Sequence, residues 1–282
     1  MKIAIASGKG GTGKTTIATN LAAVAAKQNE RITYFDCDVE EPNGHLFLHP
    51  RITKTETGSI PVPDIDEDTC NACGECVRFC EYRALVRLGE LVMVFPELCH
   101  GCGGCTLLCP QKAIREHNKE IGVVEIGSAA GIGFVHGRLN VGEAMSPPLI
   151  RRVLAQATEH DTAIIDAPPG TSCPVIASIR EVDFVALVTE PTPFGLNDLA
   201  LALDMVEELA IPYGVVINRA EPGNFDAQDF CGKRGVNILG FIPDDRRIAE
   251  AYSRGEILVD AVPGLEELFA HLWETIRKRA SA

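Results

Sequence analysis

Near the N-terminus the run SGKGGTGKTT, from Ser7 to Thr16, contains the spacing Gly8-x-x-x-x-Gly13-Lys14-Thr15. Such a loop bares consecutive backbone N–H groups that cradle phosphate oxygens. Its lysine meets the β- and γ-phosphates, and the hydroxyl after it holds Mg2+. The expected nucleotide cradle is therefore Gly8, Gly10, Gly11, Thr12, Gly13, Lys14, Thr15 and Thr16. The metal also needs a carboxylate at the end of a neighbouring strand. AIIDAPPGT supplies Asp166, with Gly170 behind it to sense the γ-phosphate. YFDCD supplies Asp36 and Asp38, where an attacking water can be oriented, and Asp38 joins Thr15 and Asp166 as an expected Mg2+ contact. Lys9 is a second lysine that a phosphate loop does not require.

Cysteines form the other candidate chemistry: eight of the eleven lie between Cys70 and Cys109. CNACGECVRFCEYRAL and CHGCGGCTLLCPQKAI both read C-x2-C-x2-C-x3-C, each with an alanine four residues after its last cysteine. With that spacing three thiolates of one loop grip three corners of a [4Fe–4S] cubane, and the fourth reaches the other cluster. One set is then Cys70, Cys73, Cys76 and Cys109; the other is Cys80, Cys99, Cys102 and Cys105. Paired C-x2-C spacings also serve zinc, but the doubled order matches two cubanes better. The block resembles a bacterial two-cluster ferredoxin, with one departure: Pro110 follows the second run, and Glu81 takes the matching place in the first. Cys37 and Cys173 are expected to fill the core as small apolar groups, with an intersubunit or redox contact as the alternative at Cys173. Cys231 is expected to have no special role.

GKGGTGKTT, FDCD and IIDAPPGT together resemble the deviant Walker ATPases of the MinD, Mrp and ParA group, relatives of the nitrogenase iron protein. The likeness continues through VTEPTPFGLNDL, VINR and IPDDRRIAEA. It implies hydrolysis of ATP to ADP and phosphate by a homodimer, or by a heterodimer with a similar chain. It also implies that Lys9 crosses the dimer interface to the partner's nucleotide and that Asp38 positions the hydrolytic water, beside Lys14 and Asp166. Asn218 would read the adenine, with Pro243, Asp244 and Asp245 flanking the base. The late C-x2-C pair usual in Mrp-type cluster carriers is missing from this sequence.

These groups need a scaffold that delivers them to one end of a sheet. KIAIA, RITYFD, TAIID, DFVALVT, YGVVINR and NILGFIP are short apolar, β-branched runs, and the helical patterns between them predict a parallel α/β sheet. Helices are expected at Thr15–Lys27, Ser146–Ala157, Asn197–Leu209, Arg246–Arg254 and Gly264–Arg279. The stretch from Val39 to Thr69, with its prolines, glycines and charges, reads as loop and linker. The fold class expected is α/β: a doubly wound, mostly parallel P-loop NTPase over 1–60 and 120–282, interrupted at 61–119 by a small α+β ferredoxin-like insert.

A net charge of −13 argues against nucleic acid as a main partner. No apolar run of about 18 residues predicts a membrane span, and the start of the chain is too short in its apolar part for a signal peptide, so a cytoplasmic protein is expected. The C-terminal GLEELFAHLWETIRKRASA has one apolar face, read as core packing, with membrane contact as the alternative. The leading functional expectation couples an ATP-driven open–close cycle to electron transfer or metallocluster handling in a redox or metallocluster partner protein. The alternatives are a MinD-like positioning switch with redox-sensing clusters and an Mrp-like cluster assembly carrier.

Overall fold

The computed structural model describes residues 1–158 and 161–281. Eleven strands occur among them: β1 (Lys2–Ala6), β2 (Ile32–Asp36), β3 (Arg51–Ile65), β4 (Leu85–Leu88), β5 (Leu91–Val94) and β6 (Ile114–Ala129), then β7 (Ile132–Leu139), β8 (Thr162–Asp166), β9 (Phe184–Thr189), β10 (Tyr213–Ala220) and β11 (Ile238–Pro243). Nine of them form one sheet in the order β11-β10-β9-β1-β8-β2-β7-β6-β3. Neighbours from β11 to β7 run parallel, and β6 and β3 then join antiparallel.

The parallel strands read as unbroken apolar runs because both of their faces are covered. In β1, Ala4 and Ala6 face one core, and Ile3 and Ile5 the other. The first core takes helices Pro147–Leu154, Cys173–Ile179 and Pro193–Glu208; the second takes Lys14–Lys27 and Leu265–Ala280. The second core absorbs Leu265, Phe269, Leu272, Trp273 and Ile276, so the apolar face weighed as a membrane contact is packed inside. Among the described residues no helix is long and apolar enough to cross a membrane.

Part of the segment expected to be loop and linker is a strand: β3 occupies Arg51–Ile65 and pairs with β6 from Arg51↔Ser128 to Ile65↔Ile114. Its signal is weak because it is the edge of the sheet, where its outer half carries polar side chains and Pro61 and Pro63 withdraw no ladder hydrogen bond on the open side. The glycine-rich stretch after Ile121 supplies most of β6 and β7. Its glycines admit Leu149: a Cβ at Gly58, Gly122 or Gly137, on three adjacent strands, would meet the Leu149 side chain at 2.5, 2.8 or 3.4 Å. Helices Cys173–Ile179 and Asp226–Arg234 carry no strong sequence signal and were not expected. Beyond residue 60 the β3–β6 ladder bears the hairpin β4–β5 and two short helices, Glu75–Phe79 and Gly104–Leu108.

Candidate functional site

The phosphate loop leaves β1 at Ala6 and turns into helix Lys14–Lys27. Gly13 has φ 94°, a left-handed backbone that favours glycine. A Cβ there would also strike Asn218 Nδ2 at 2.3 Å. That amide donates to Thr12 O (2.7 Å), so Asn218 stands against the loop itself. Gly8 lies so close to helix Pro193–Glu208 that a Cβ would come within 2.1 Å of Asp198 O. Gly170 closes the far side, its N–H donating to Ser7 O at 3.0 Å. Pro243 ends β11 opposite Ala220, two residues beyond Asn218; the Asp244 N–H donates to Ala220 O, and Asp245 caps helix Arg246–Ser253.

Register brings the carboxylates together, since Asp36 at the end of β2 lies opposite Asp166 at the end of β8. Asp166 Oδ2 accepts the Tyr34 hydroxyl (2.9 Å), while its Oδ1 is buried without a partner. Burial pushes Asp166 up, and the Thr15 hydroxyl and then Lys14 pull it back. A buried carboxylate oxygen beside a hydroxyl and an ammonium is a donor set that suits Mg2+ carrying a phosphate. Asp36 is not free to orient water: it is fully buried, and its oxygens accept the N–H groups of Asp38 (3.2 Å) and Gly44 (2.9 Å). It anchors the loop that follows.

Asp38 is pushed up to about 6 by burial and by Asp166, against the pull of Lys14. A carboxyl raised on folding favours the native state only while protonated, so its cost appears as pH rises from the unfolded value toward about 6. Nucleotide-free Asp38→Asn is therefore expected to melt about 2–4 °C above the wild type at neutral pH, roughly 1 kcal/mol in a chain of this size. The gap should close as pH falls to about 4. Thermal melts of the pair across that range check it; a constant gap would contradict it.

Lys9 is half-exposed, and its ammonium faces Glu190 of the same chain at 3.7 Å. Glu190 also takes Arg219 Nη1 at 2.6 Å. Neither Tyr34 nor Glu190 was expected in the site: Tyr34 sits in the middle of β2 and Glu190 just past the end of β9, and the neighbours of both come from distant sequence.

The eight clustered cysteines line two cavities. Cys70, Cys73, Cys76 and Cys109 line one cavity, and Cys80, Cys99, Cys102 and Cys105 line another of about 400 Å³. The two halves repeat in backbone as well as in sequence. Ala72 and Gly101, Gly74 and Gly103, and Arg83 and Lys112 are matched pairs with left-handed φ. The alanine after each run has a use: Ala84 N–H donates to Cys80 Sγ (3.4 Å) and Ala113 N–H to Cys109 Sγ (3.3 Å). Gly101 N–H does the same for Cys99 (3.4 Å). Among the described residues no three His, Cys, Asp or Glu side chains converge on one ion. Of the remaining cysteines, Cys37 is fully buried as expected and Cys231 is buried too. Cys173 is exposed, against the expectation of core filling, because it opens its helix at the surface.

The profile of the CobQ/CobB/MinD/ParA nucleotide-binding domain matches residues 3–259. An uncharacterised protein of Methanocaldococcus jannaschii is 31% identical over 99% of this chain and 97% of its own length. A Pyrococcus abyssi protein named iron–sulfur cluster carrier protein is 24% identical over 90% of this chain and 77% of its own. The solved structure of the septum site-determining protein MinD with Mg-ADP from Pyrococcus horikoshii superposes with a TM-score of 0.63 at 18% identity, covering 98% of this chain and 96% of that one. Its likeness gives the fold: an α/β P-loop NTPase with a large, mostly parallel sheet. With the phosphate loop, its buried carboxylates and a profile spanning nearly the whole sequence in agreement, the chain belongs to the CobQ/CobB/MinD/ParA nucleotide-binding family.

Proposed function

We propose that this chain is a dimeric ATPase that carries two [4Fe–4S] clusters on the β3–β6 arm and uses its nucleotide cycle to control them. The observation that carries the reading is the sorting of eight cysteines into two cavities of four, on an arm that begins soon after the loop held by Asp36. The lining thiols suit cubane iron, and bound clusters would supply one-electron chemistry at low potential. Residues 61–119 then act as a ferredoxin-like module, and 1–60 with 120–282 as the ATPase.

In the nucleotide site Lys14 and the loop N–H groups hold the phosphates, while Thr15 and Asp166 hold Mg2+. Asp38 orients water toward the γ-phosphate, and Gly170 registers its loss through the bond to Ser7. Asn218 and the Pro243–Asp245 turn border the place of the base. Lys9 leaves Glu190 on dimer closure and meets the second subunit's phosphates; a lysine is a mobile point charge suited to that reach. The recipient is a redox or metallocluster protein in the cytoplasm.

Anaerobic EPR of the dithionite-reduced protein, with and without MgATP, tests the coupling. Signals of two cubanes that shift in midpoint potential with MgATP support it; identical spectra and potentials at saturating nucleotide would overturn it. A second reading, a cluster carrier, is favoured by the name of the Pyrococcus abyssi relative. Transfer of a cluster to an apo-ferredoxin would select it. The positioning-switch reading loses its membrane element, since the apolar face of the last helix is buried.

A further inference from the structure

Tyr34 lies in β2, fully buried, with its ring stacked on Phe134 of β7 at a centroid distance of 5.8 Å. Nothing in the sequence distinguishes it from a core residue. Its hydroxyl nevertheless donates to Asp166 Oδ2 at 2.9 Å and so fixes one oxygen of that carboxylate. The other oxygen is left buried and unpaired. The same ring is the floor under Gly44: a Cβ at Gly44 would lie 2.4 Å from both Tyr34 Cε1 and the hydroxyl oxygen. Gly44 is tied to Asp36 Oδ2 at 2.9 Å, and Asp36 to Asp38 N–H. One side chain therefore touches the expected metal carboxylate and also supports the loop that follows Asp38.

We infer that Tyr34 is a positioning residue for the metal: its phenol locks Asp166 so that Oδ1 faces Mg2+, and its ring sets the height of the Gly44 turn. A carboxylate free to rotate would present its oxygens in several poses, and each pose other than the right one weakens the ion's hold. A phenylalanine would fill the same volume, so the hydroxyl is needed for the bond and not for packing. Because the ring meets Gly44, a change in how Asp166 is ligated is felt directly by the loop after Asp38. This inference rests on the nucleotide reading above.

Calorimetric titration of ADP into the full chain, with and without Mg2+, tests it for the wild type, Tyr34→Phe and Gly44→Ala. Tyr34→Phe removes only the hydroxyl; Gly44→Ala presses on the ring from above. Both variants are expected to bind metal-free ADP as the wild type does. Both should need about tenfold more Mg2+ to reach the tight-binding state, the size of one lost hydrogen bond to a charged group. An unchanged Mg2+ requirement in the variants, beside a Mg2+-dependent wild type, overturns the role of Tyr34 and leaves the nucleotide site standing. A wild type that binds no ADP overturns both. If Tyr34→Phe does not fold, Gly44→Ala carries the test alone: a rise in its Mg2+ requirement supports the inference, and none overturns it.

Discussion

Lys14→Ala is expected to lower ATP turnover by about 10²–10³-fold, the cost of removing one fixed charge from developing phosphate charge. It should also weaken ADP binding, because in the proposed site the residue would meet the phosphates in ground state and product alike. A further effect follows from its surroundings. Lys14 is buried, and its charge pulls down both Asp38 and Asp166, two carboxyls that burial raises. Without it their neutral forms gain ground. The nucleotide-free variant should lose stability at neutral pH and recover part of it near pH 5, where raised carboxyls regain their protons. Lys9→Ala should differ in kind: its partner Glu190 is bridged by Arg219, so folding and ADP affinity stay near wild type while hydrolysis falls. Malachite-green assays, ADP titration and melts at two pH values separate the two lysines. Equal loss of ADP binding in both variants would rule out the division of labour.

Cys109→Ala and Cys80→Ala form the second pair. The last cysteine of each run lines the cavity of the other run. Cys109→Ala should thus empty the site of Cys70, Cys73 and Cys76, and Cys80→Ala the site of Cys99, Cys102 and Cys105. Each should lower iron from about eight to about four atoms per chain and halve the visible absorbance. Which cubane is lost is read by adding a second substitution. Cys109→Ala with Cys73→Ala should still hold about four irons, whereas Cys109→Ala with Cys102→Ala should hold almost none. The reverse pattern would mean that each run closes its own site. ADP affinity should stay unchanged throughout, because the cavities these thiols line include no residue of the phosphate loop.

What the sequence made readable follows from locality. The phosphate loop, the Gly13 turn and the two cysteine runs are short-range patterns, and KIAIA, TAIID and FVALVT announce strands because both faces of each are covered. The division of eight cysteines between two cavities was legible because fixed spacing limits where thiols can reach. The β3 strand was hidden, as an edge strand with polar outer residues and two prolines lacks the usual alternation. Tyr34 and Glu190 were hidden for another reason. Their roles arise where β2 meets β8 and where the end of β9 meets the phosphate loop, contacts that no single stretch of chain records. The exposure of Cys173 likewise depends on a helix start that carries no strong signal.

The seating of Leu149 among three glycines has a mechanical consequence. One fully buried side chain is keyed into β3, β6 and β7 at once, so these strands and helix Pro147–Leu154 cannot slide past one another without opening a void. They behave as a single stiff lever. Its long end is the ladder that carries both cysteine quartets. Its short end is helix Pro147–Leu154, which packs on helix Cys173–Ile179, three residues beyond Gly170. Under the proposed nucleotide cycle, a small shift at Gly170 would push on that short end, and the swing would grow with distance along the ladder.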